Sequence, residues 1–288
     1  MEKAFFSYLP RRLERGFTLV ELAMVLVIFS LLIGGMLMGL GAQRQVAESN
    51  ESQKRLSEIR DALIGFAVTN GRLPCPADPA LVTGSVGAGL ERVAIAGGCT
   101  GGAAAVAGAL PWATLGLQEL DVWNRRLSYR VTGIFAQPIT GQAAFALNSP
   151  GDINIRATTA GTLLAENVPA VVVTHGLNGF GAYLPTGVQM AAGADADETE
   201  NSDADVEFVS KAFTSTFDDQ VVWIEPSILM HRMVSSQKLP KVRLTCESIT
   251  RRDLCIVPPA KILIDRTPAL RSNKAMPTFY SSRQPHEH

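Results

Sequence analysis

The sequence has little charge of either sign and few histidines. Charged residues make up 18% of its 288 residues, and the formal net charge is -1. Affinity for nucleic acid depends on massed lysine and arginine, so we predict no nucleic-acid partner. Four histidines occur, and two of them, His286 and His288, stand at the C-terminal end. The chain also lacks a His-Glu-x-x-His motif and a Gly-x-Ser-x-Gly elbow, two common signs of catalysis.

His175 and His231 are the histidines that remain for a folded domain. His175 lies in VTHGLNGFG, after an apolar run. A histidine at a strand end, with Asn178-Gly179 forming the next turn, explains this pattern without catalysis. We therefore predict that the protein is not an enzyme and needs no cofactor. A pocket that joins His175 to an acid and a nucleophile would revive the catalytic hypothesis.

Apolar residues are abundant, and many of them stand in one run. Hydrophobic residues reach 47%, and between Phe17 and Ala42 the only charged residue is Glu21. A helix over 17–42 is long enough for a hydrocarbon core of about 30 Å, so a transmembrane helix is predicted there. Basic residues at 3, 11, 12 and 15 precede the run. Positive charge is retained in the cytoplasm, which predicts a cytoplasmic N-terminus and an exported remainder.

An ordinary cleaved signal peptide is the alternative interpretation of this run. Such a peptide has an apolar stretch of about 7–15 residues, followed by small residues in an A-x-A-like pattern. Here the run is longer, and Leu40-Gly41 precedes Ala42.

Gly16-Phe17-Thr18-Leu19-Val20-Glu21 resembles the processing and methylation site of type IV prepilins and type II secretion pseudopilins. The resemblance implies a cytoplasmic leader at 1–16, removed by a prepilin peptidase that cuts after Gly16 and methylates Phe17. It also implies a single-pass protein of the bacterial inner membrane, with its head in the periplasm or in an extracellular filament. The implied partners are the peptidase, membrane lipid, an inner-membrane assembly platform and other pilin-like subunits.

Glu21 is the fifth residue counted from Phe17, the position of a hallmark carboxylate in that family. A carboxylate in lipid is costly unless a cation meets it. Cleavage would create an ammonium group at Phe17, so Glu21 of one subunit could pair with the Phe17 amine of its neighbour. The alternative is that Glu21 reaches the membrane interface alone.

Beyond the apolar run, the helix is predicted to continue over 43–70 as an amphipathic segment. Apolar residues recur at Leu56, Ile59, Leu63 and Phe66-Ala67, close to a period of 3.6. Asn70-Gly71 supplies a stop. The fold class is predicted as α+β, pilin-like, with this long helix packed on a head at 71–266 whose sheet is mostly antiparallel. Residues 71–120 are expected to be loop-like apart from a short helix or turn near 115–120, and 267–288 a flexible tail. Strands are predicted at 127–131, 143–147, 153–157, 170–174, 220–224 and 242–246, and a second helix at 227–237.

Four cysteines, at 75, 99, 246 and 255, lie on the predicted exported side. An even count in an oxidising compartment predicts disulfides, and four cysteines allow three connectivities. We favour Cys75 with Cys99 and Cys246 with Cys255, because each pair closes a local loop. Pilin-like heads often carry a disulfide near the C-terminus, so the resemblance favours the second pair further. Neither spacing suits zinc.

The segment 194–205 holds six carboxylates in twelve positions. Some pseudopilins bind calcium through head loops, and oxygen-rich segments suit that ion. Asp195, Asp197 and Asp203 are the candidate calcium ligands, although the segment departs from the EF-hand pattern. A solvated acidic loop is the alternative.

These observations predict a structural subunit, a minor pilin or pseudopilin that assembles through its N-terminal helix into a type IV pilus or a type II secretion pseudopilus. A head of some 200 residues is large for a repeating filament subunit, which favours a minor or tip component, although Glu21 argues against a subunit that only caps the tip. The alternative is a minor pilin that acts as a binding module in adhesion, DNA uptake or recognition of a secreted substrate.

Overall fold

The computed structural model describes residues 16–102, 106–139, 141, 143–239, 245–249 and 252–256. Contacts within the chain define two compact units, residues 1–240 and 241–288. In chain order, the first unit contains α1 (Leu19–Asn70), β1 (Ala94–Ile95), β2 (Gly98–Cys99), β3 (Ala107–Ala109), α2 (Trp112–Leu115), β4 (Ser128–Val131), α3 (Gly133–Ala136), β5 (Ile153–Arg156), β6 (Leu163–Val168), β7 (Ala170–Thr174), α4 (Ala196–Glu200), β8 (Glu207–Val209), β9 (Gln220–Trp223) and α5 (Pro226–Ser235).

Helix α1 is continuous over 52 residues, as the sequence predicts. It ends at Gly71, whose left-handed backbone (φ 71°) lets its N–H donate to the Ala67 carbonyl at 2.7 Å. Glycine adopts this conformation without a steric penalty. The predicted stop at Asn70-Gly71 is therefore confirmed.

The main sheet has the strand order β3-β4-β7-β9, and all of its neighbours are antiparallel. On one face, Ala170 and Val172 of β7 belong to the core that the second half of α1 fills with Leu63. On the opposite face, Val171 and Val173 pack in a separate cluster against the second sheet. Because both faces are covered, all five residues of β7 are buried, and the first four of them are apolar.

The second sheet has the order β6-β5-β8. Strand β5 is antiparallel to β6 and parallel to β8, where Ile155 is aligned with Phe208. The head is thus α+β with mostly antiparallel pairing, in agreement with the predicted fold class. Strands β6 and β8 were not predicted, and the segment 71–120, predicted as loop, contains β1, β2 and β3 beside the short helix α2.

Helix α5 begins with Pro226 in its first turn, which suits a residue without an N–H group. Its Leu229 and Met233 are fully buried and share the core with Leu56 and Ile59 of α1. The predicted helix at 227–237 and the predicted apolar stripe of α1 are both confirmed. Phe66 is only half-buried and lies under the Arg72 guanidinium, 5.5 Å from the ring centre.

The strand predicted at 143–147 is wrong, because this segment forms bends and turns. The Ala144 N–H donates to the Gly71 carbonyl at 2.8 Å, just past the end of α1. Phe145 is buried against Phe135, with 4.6 Å between the ring centres. The apolar residues that suggested a strand instead cover the C-terminal end of the helix.

The second unit contains an antiparallel hairpin of β10 (Thr245–Ile249) and β11 (Arg252–Ile256). Of the strand predicted at 242–246, only 245–246 falls in the described residues, where it belongs to β10. The predicted tail at 267–288 and most of the predicted leader at 1–16 lie outside the described residues.

Candidate functional site

The junction between the basic leader and α1 is exposed and non-helical. Gly16 and Phe17 precede the helix, and the Phe17 side chain is 78% exposed. Thr18 is extended (φ -74°, ψ 149°), and its hydroxyl accepts the Glu21 N–H at 3.3 Å. This is N-capping, which fixes where a helix begins. The Gly16-Phe17 peptide bond therefore lies accessible, immediately before a capped helix.

Glu21 stands in the first turn of α1, where the helix dipole favours a negative charge. Its side chain is exposed, and no ion pair within the described part of the chain involves it. The position leaves the carboxylate available to a group outside this chain.

The two halves of α1 differ sharply in burial. Every residue from 19 to 34 is exposed, although most of them are apolar, and Leu31 is 72% exposed. The second half carries the buried stripe that contains Leu56 and Leu63. The first half thus offers an apolar surface on all sides. Among the residues that the structure describes, no helix combines the length and the apolar character needed to cross a membrane, and the span predicted at 17–42 stays a prediction.

Cys75 and Cys99 form a disulfide with a Cα–Cα distance of 5.8 Å, which joins the segment after α1 to β2. Next to it, Arg72 makes two hydrogen bonds with the Glu91 carboxylate, at 2.8 and 2.9 Å. The Cys75 N–H also donates to Glu91. The crosslink and the ion pair together fix the chain where it leaves the helix.

Cys246 and Cys255 are aligned as direct partners in the antiparallel register of β10 and β11. This backbone register suits the predicted pairing. Their disulfide stays a prediction, because the structure describes the backbone of this hairpin only.

The structure does not bring Asp195, Asp197 and Asp203 together as ligands of one ion. Asp195 caps α4 and accepts the Thr216 hydroxyl, and both Asp195 and Asp197 lie beside the Lys211 ammonium. Asp203 instead accepts the Asp205 N–H. A lysine and local hydrogen bonds already satisfy two of these residues, and calcium binding by the three of them stays a prediction.

A different carboxylate cluster lies nearby, made of Glu198, Asp218 and Asp219. One oxygen from each side chain lies within 4.8 Å of the others. Burial raises the pKa of Asp219 to about 8, against the hydrogen bond that it accepts from Asn201. Burial also raises the pKa of Glu198, and the neighbouring carboxylates add to the effect. Sequence analysis missed this cluster because some twenty residues separate Glu198 from Asp218-Asp219.

Gly176 provides the space that the carboxylate cluster needs beside the end of β7. It has a positive φ of 55°, and a Cβ atom there would lie 2.1 Å from Asp218 Oδ1. The Asn178 N–H donates to the other oxygen of Asp218 at 2.9 Å. The predicted turn after His175 therefore exists, and it holds one of the carboxylates.

His175 is fully buried and contacts a hydroxyl group, which bears on the catalytic hypothesis. Ser128 Oγ lies 2.8 Å from His175 Nε2, while His175 Nδ1 is 3.9 Å from Asp219 Oδ2. The second distance exceeds a hydrogen bond. Burial and, to a smaller extent, the Arg125 guanidinium lower the pKa of His175 to about 4. An acid, a base and a hydroxyl are thus neighbours, but His175 Nδ1 donates no hydrogen bond to the Asp219 carboxylate, which a catalytic triad requires to orient its base.

The basic pair Arg125-Arg126 is engaged by the protein itself. Arg125 donates to the carbonyls of Gly176 and Leu177. Arg126 is 1% exposed and forms an ion pair with Glu119 at 2.7 Å. Neither guanidinium belongs to an open basic surface.

Residues 11–37 match the family described as the prokaryotic N-terminal methylation motif, the signature of the prepilin-type signals of type IV pilins and pseudopilins. The chain therefore carries such a signal, and the match includes Gly16, Phe17 and Glu21. No curated protein and no solved structure matches the chain. The motif supports a protein of the type IV pilin and pseudopilin class, with prepilin processing and an N-terminus anchored in the inner membrane as general properties of that class.

Proposed function

We propose that the chain is a pilin-like structural subunit, cleaved after Gly16, N-methylated at Phe17 and assembled through α1 into a type IV pilus or a type II secretion pseudopilus. The observation that carries the proposal is the methylation motif, because it coincides with an exposed Gly16-Phe17 bond in front of a capped helix. The function proposed is structural and not enzymatic.

The unpartnered first half of α1 is the proposed anchor and assembly surface. Its apolar side chains at 19–34 are not covered by any part of the chain that the structure describes. Removing such a surface from water is worth about 25 cal/mol per Å² of apolar area. We propose that lipid covers the segment in the inner membrane before assembly, and that helices of other pilin-like subunits cover it afterwards.

Glu21 is the proposed electrostatic partner of a neighbouring subunit. Cleavage after Gly16 leaves an ammonium group at Phe17, and a buried charge is tolerated when an opposite charge meets it. The capped first turn holds Glu21 close to the new N-terminus of its own chain. An axial shift between stacked subunits then brings one subunit's Glu21 to the amine of the next. A subunit that only caps a tip has no subunit above it to pair with, so we propose a minor component inside the filament.

A role of the head in binding a secreted substrate is the second candidate function. A cavity of about 310 Å³, lined by residues that include Arg130 and Tyr183, opens beside the main sheet. Arg130 Nε is buried there without a hydrogen-bond partner. Arg130→Gln should then weaken substrate capture without changing assembly. Unchanged capture would remove this cavity from consideration.

The assembly proposal is tested by replacing Glu21 with glutamine and following incorporation into filaments sheared from cells. The matched control is Glu58→Gln, because Glu58 also lies on α1 and has an exposed side chain. Glu21→Gln should leave membrane insertion intact and reduce incorporation at least tenfold, whereas Glu58→Gln should be incorporated normally. Equal incorporation of both variants would contradict the proposed role of Glu21.

A further inference from the structure

The carboxylate cluster of Glu198, Asp218 and Asp219 brings together two distant parts of the head. Glu198 belongs to α4, while Asp218 and Asp219 immediately precede β9. Glu198 is 1% exposed and Asp219 is 3% exposed, and Asp218 is half-buried. Carboxylates at this depth repel one another unless a proton or a cation lies between them.

Hydrogen bonds satisfy only part of the cluster. Glu198 Oε1 accepts the Asn178 amide at 2.6 Å and the Asp218 N–H at 3.1 Å. Asp219 Oδ2 accepts the Asn201 amide at 2.9 Å. Asp218 Oδ1 and Asp219 Oδ1 are buried and have no hydrogen-bond partner. Buried carboxylate oxygens without partners are rare, because each one loses its hydration without compensation.

No lysine or arginine in the described ranges forms an ion pair with any member of the cluster. The His175 ring lies beside the cluster, with its Nδ1 3.9 Å from Asp219 Oδ2. Lys211, which is nearby in the fold, is engaged by Asp195 and Asp197 instead. The positive charge that would balance the cluster is therefore not supplied by these side chains.

We propose that Glu198, Asp218 and Asp219 bind a hard divalent cation of the Ca²⁺ class. Oxygen donors from carboxylates are the preferred ligands of this ion, and they suit it better than they suit the softer zinc ion. Three carboxylates within 4.8 Å supply ligands from two elements, and water can complete the coordination. Half-buried Asp218 gives the ion a route from solvent. The bound ion fastens α4 to the beginning of β9 and satisfies the two unpartnered oxygens.

The test uses the full-length chain in detergent, stripped with EDTA and desalted. Equilibrium dialysis followed by elemental analysis should find one Ca²⁺ per chain. Ca²⁺ at about 100 times its dissociation constant should raise the melting temperature by about 5–10 °C. No bound ion and an unchanged melting temperature would overturn the proposal. A larger shift with Zn²⁺ than with Ca²⁺ would overturn the assignment to a hard cation.

Isosteric variants locate the site. Asp219→Asn and Glu198→Gln each retain an oxygen that accepts the observed hydrogen bonds and remove one charge, so both should fold and bind Ca²⁺ at least tenfold more weakly. Without Ca²⁺, Asp219→Asn should melt no lower than the parent chain, because burial disfavours the charged form of a carboxyl group and an amide is neutral. Asp205→Asn is the control, since Asp205 is an exposed residue of the same acidic segment. Loss of Ca²⁺ in Asp205→Asn, together with retention in Asp219→Asn and Glu198→Gln, would overturn the proposal.

Discussion

Replacing Leu63 by alanine should destabilise the head strongly, because Leu63 lies where the second half of α1 meets the main sheet. Its side chain is 0% exposed and belongs to the core shared with β7 and α5. Truncation of a buried leucine to alanine costs about 2–5 kcal/mol, which combines lost transfer free energy with the cavity that remains. We expect about 3 kcal/mol here. For a domain of 150–250 residues, this corresponds to a fall in melting temperature of about 6–12 °C.

Leu31→Ala is the matched control, because Leu31 lies on the same helix and is 72% exposed. It should change the stability of the head by less than about 0.5 kcal/mol. Both variants are compared by guanidinium unfolding of the full-length chain in detergent, with tryptophan fluorescence as the probe of the head. Equal effects of the two substitutions, or a Leu63→Ala effect below 0.5 kcal/mol, would refute the division of α1 into a free half and a core half.

Three further predictions concern crosslinking and charge in the head. Replacing Cys75 and Cys99 together by serine should lower the free energy of unfolding by about 3 kcal/mol, because the unfolded chain gains conformational freedom when the crosslink is absent. An unchanged unfolding midpoint under non-reducing conditions would contradict this prediction. Arg126→Met leaves the Glu119 carboxylate without its ion-pair partner and should lower the free energy of unfolding by about 3 kcal/mol or more. Adding Glu119→Gln should restore part of this stability. Equal unfolding midpoints for the single and double variants would contradict the prediction. Although burial raises it, hydrogen bonds from two β5 side chains hold the pKa of Glu207 below its ordinary value of 4.5. Glu207 therefore stabilises the fold above pH 4.5, and this contribution is lost as the pH falls through the lowered folded-state pKa. Glu207→Gln should be less stable than the parent chain at pH 6 by up to about 1 kcal/mol, with the difference shrinking towards pH 3; a difference independent of pH would rule out this origin.

The helix and the central strand could be predicted from the sequence, because their patterns follow from local physics. The 3.6-residue spacing of Leu56, Ile59 and Leu63 specifies one buried stripe, and Asn70-Gly71 specifies the end. The apolar run of β7 identifies it as a strand without indicating that it is covered on both faces.

The segment 143–147 shows why short apolar runs are ambiguous. Ala144 and Phe145 are buried, as the pattern suggests, but they pack at the end of α1, and the backbone of the segment lies outside any sheet. Strand β6 was missed for the opposite reason, since its Leu163 and Leu164 are exposed and it pairs with β5 on one side only. Burial and pairing are decided by distant segments, which a local pattern does not record.

The two candidate sites also differ in whether their residues are close together in the sequence. Gly16, Phe17 and Glu21 are close together in the chain, so the processing motif could be recognised from the sequence and the family match confirms it. The acidic segment 194–205 also suggested a cation site, but Asp195 and Asp197, two of the predicted ligands, already have Lys211 and hydrogen-bond donors as partners. The carboxylates that converge come from α4 and from the start of β9, and only the fold brings them together.

The N-terminus of the membrane-extracted protein tests the central claim most directly. Intact mass and N-terminal peptide mass spectrometry should be compared in cells with and without the prepilin peptidase. The account predicts a chain that begins at methylated Phe17, found only when the peptidase is present. An intact Met1 in both strains, or a start near Gln43, would contradict it.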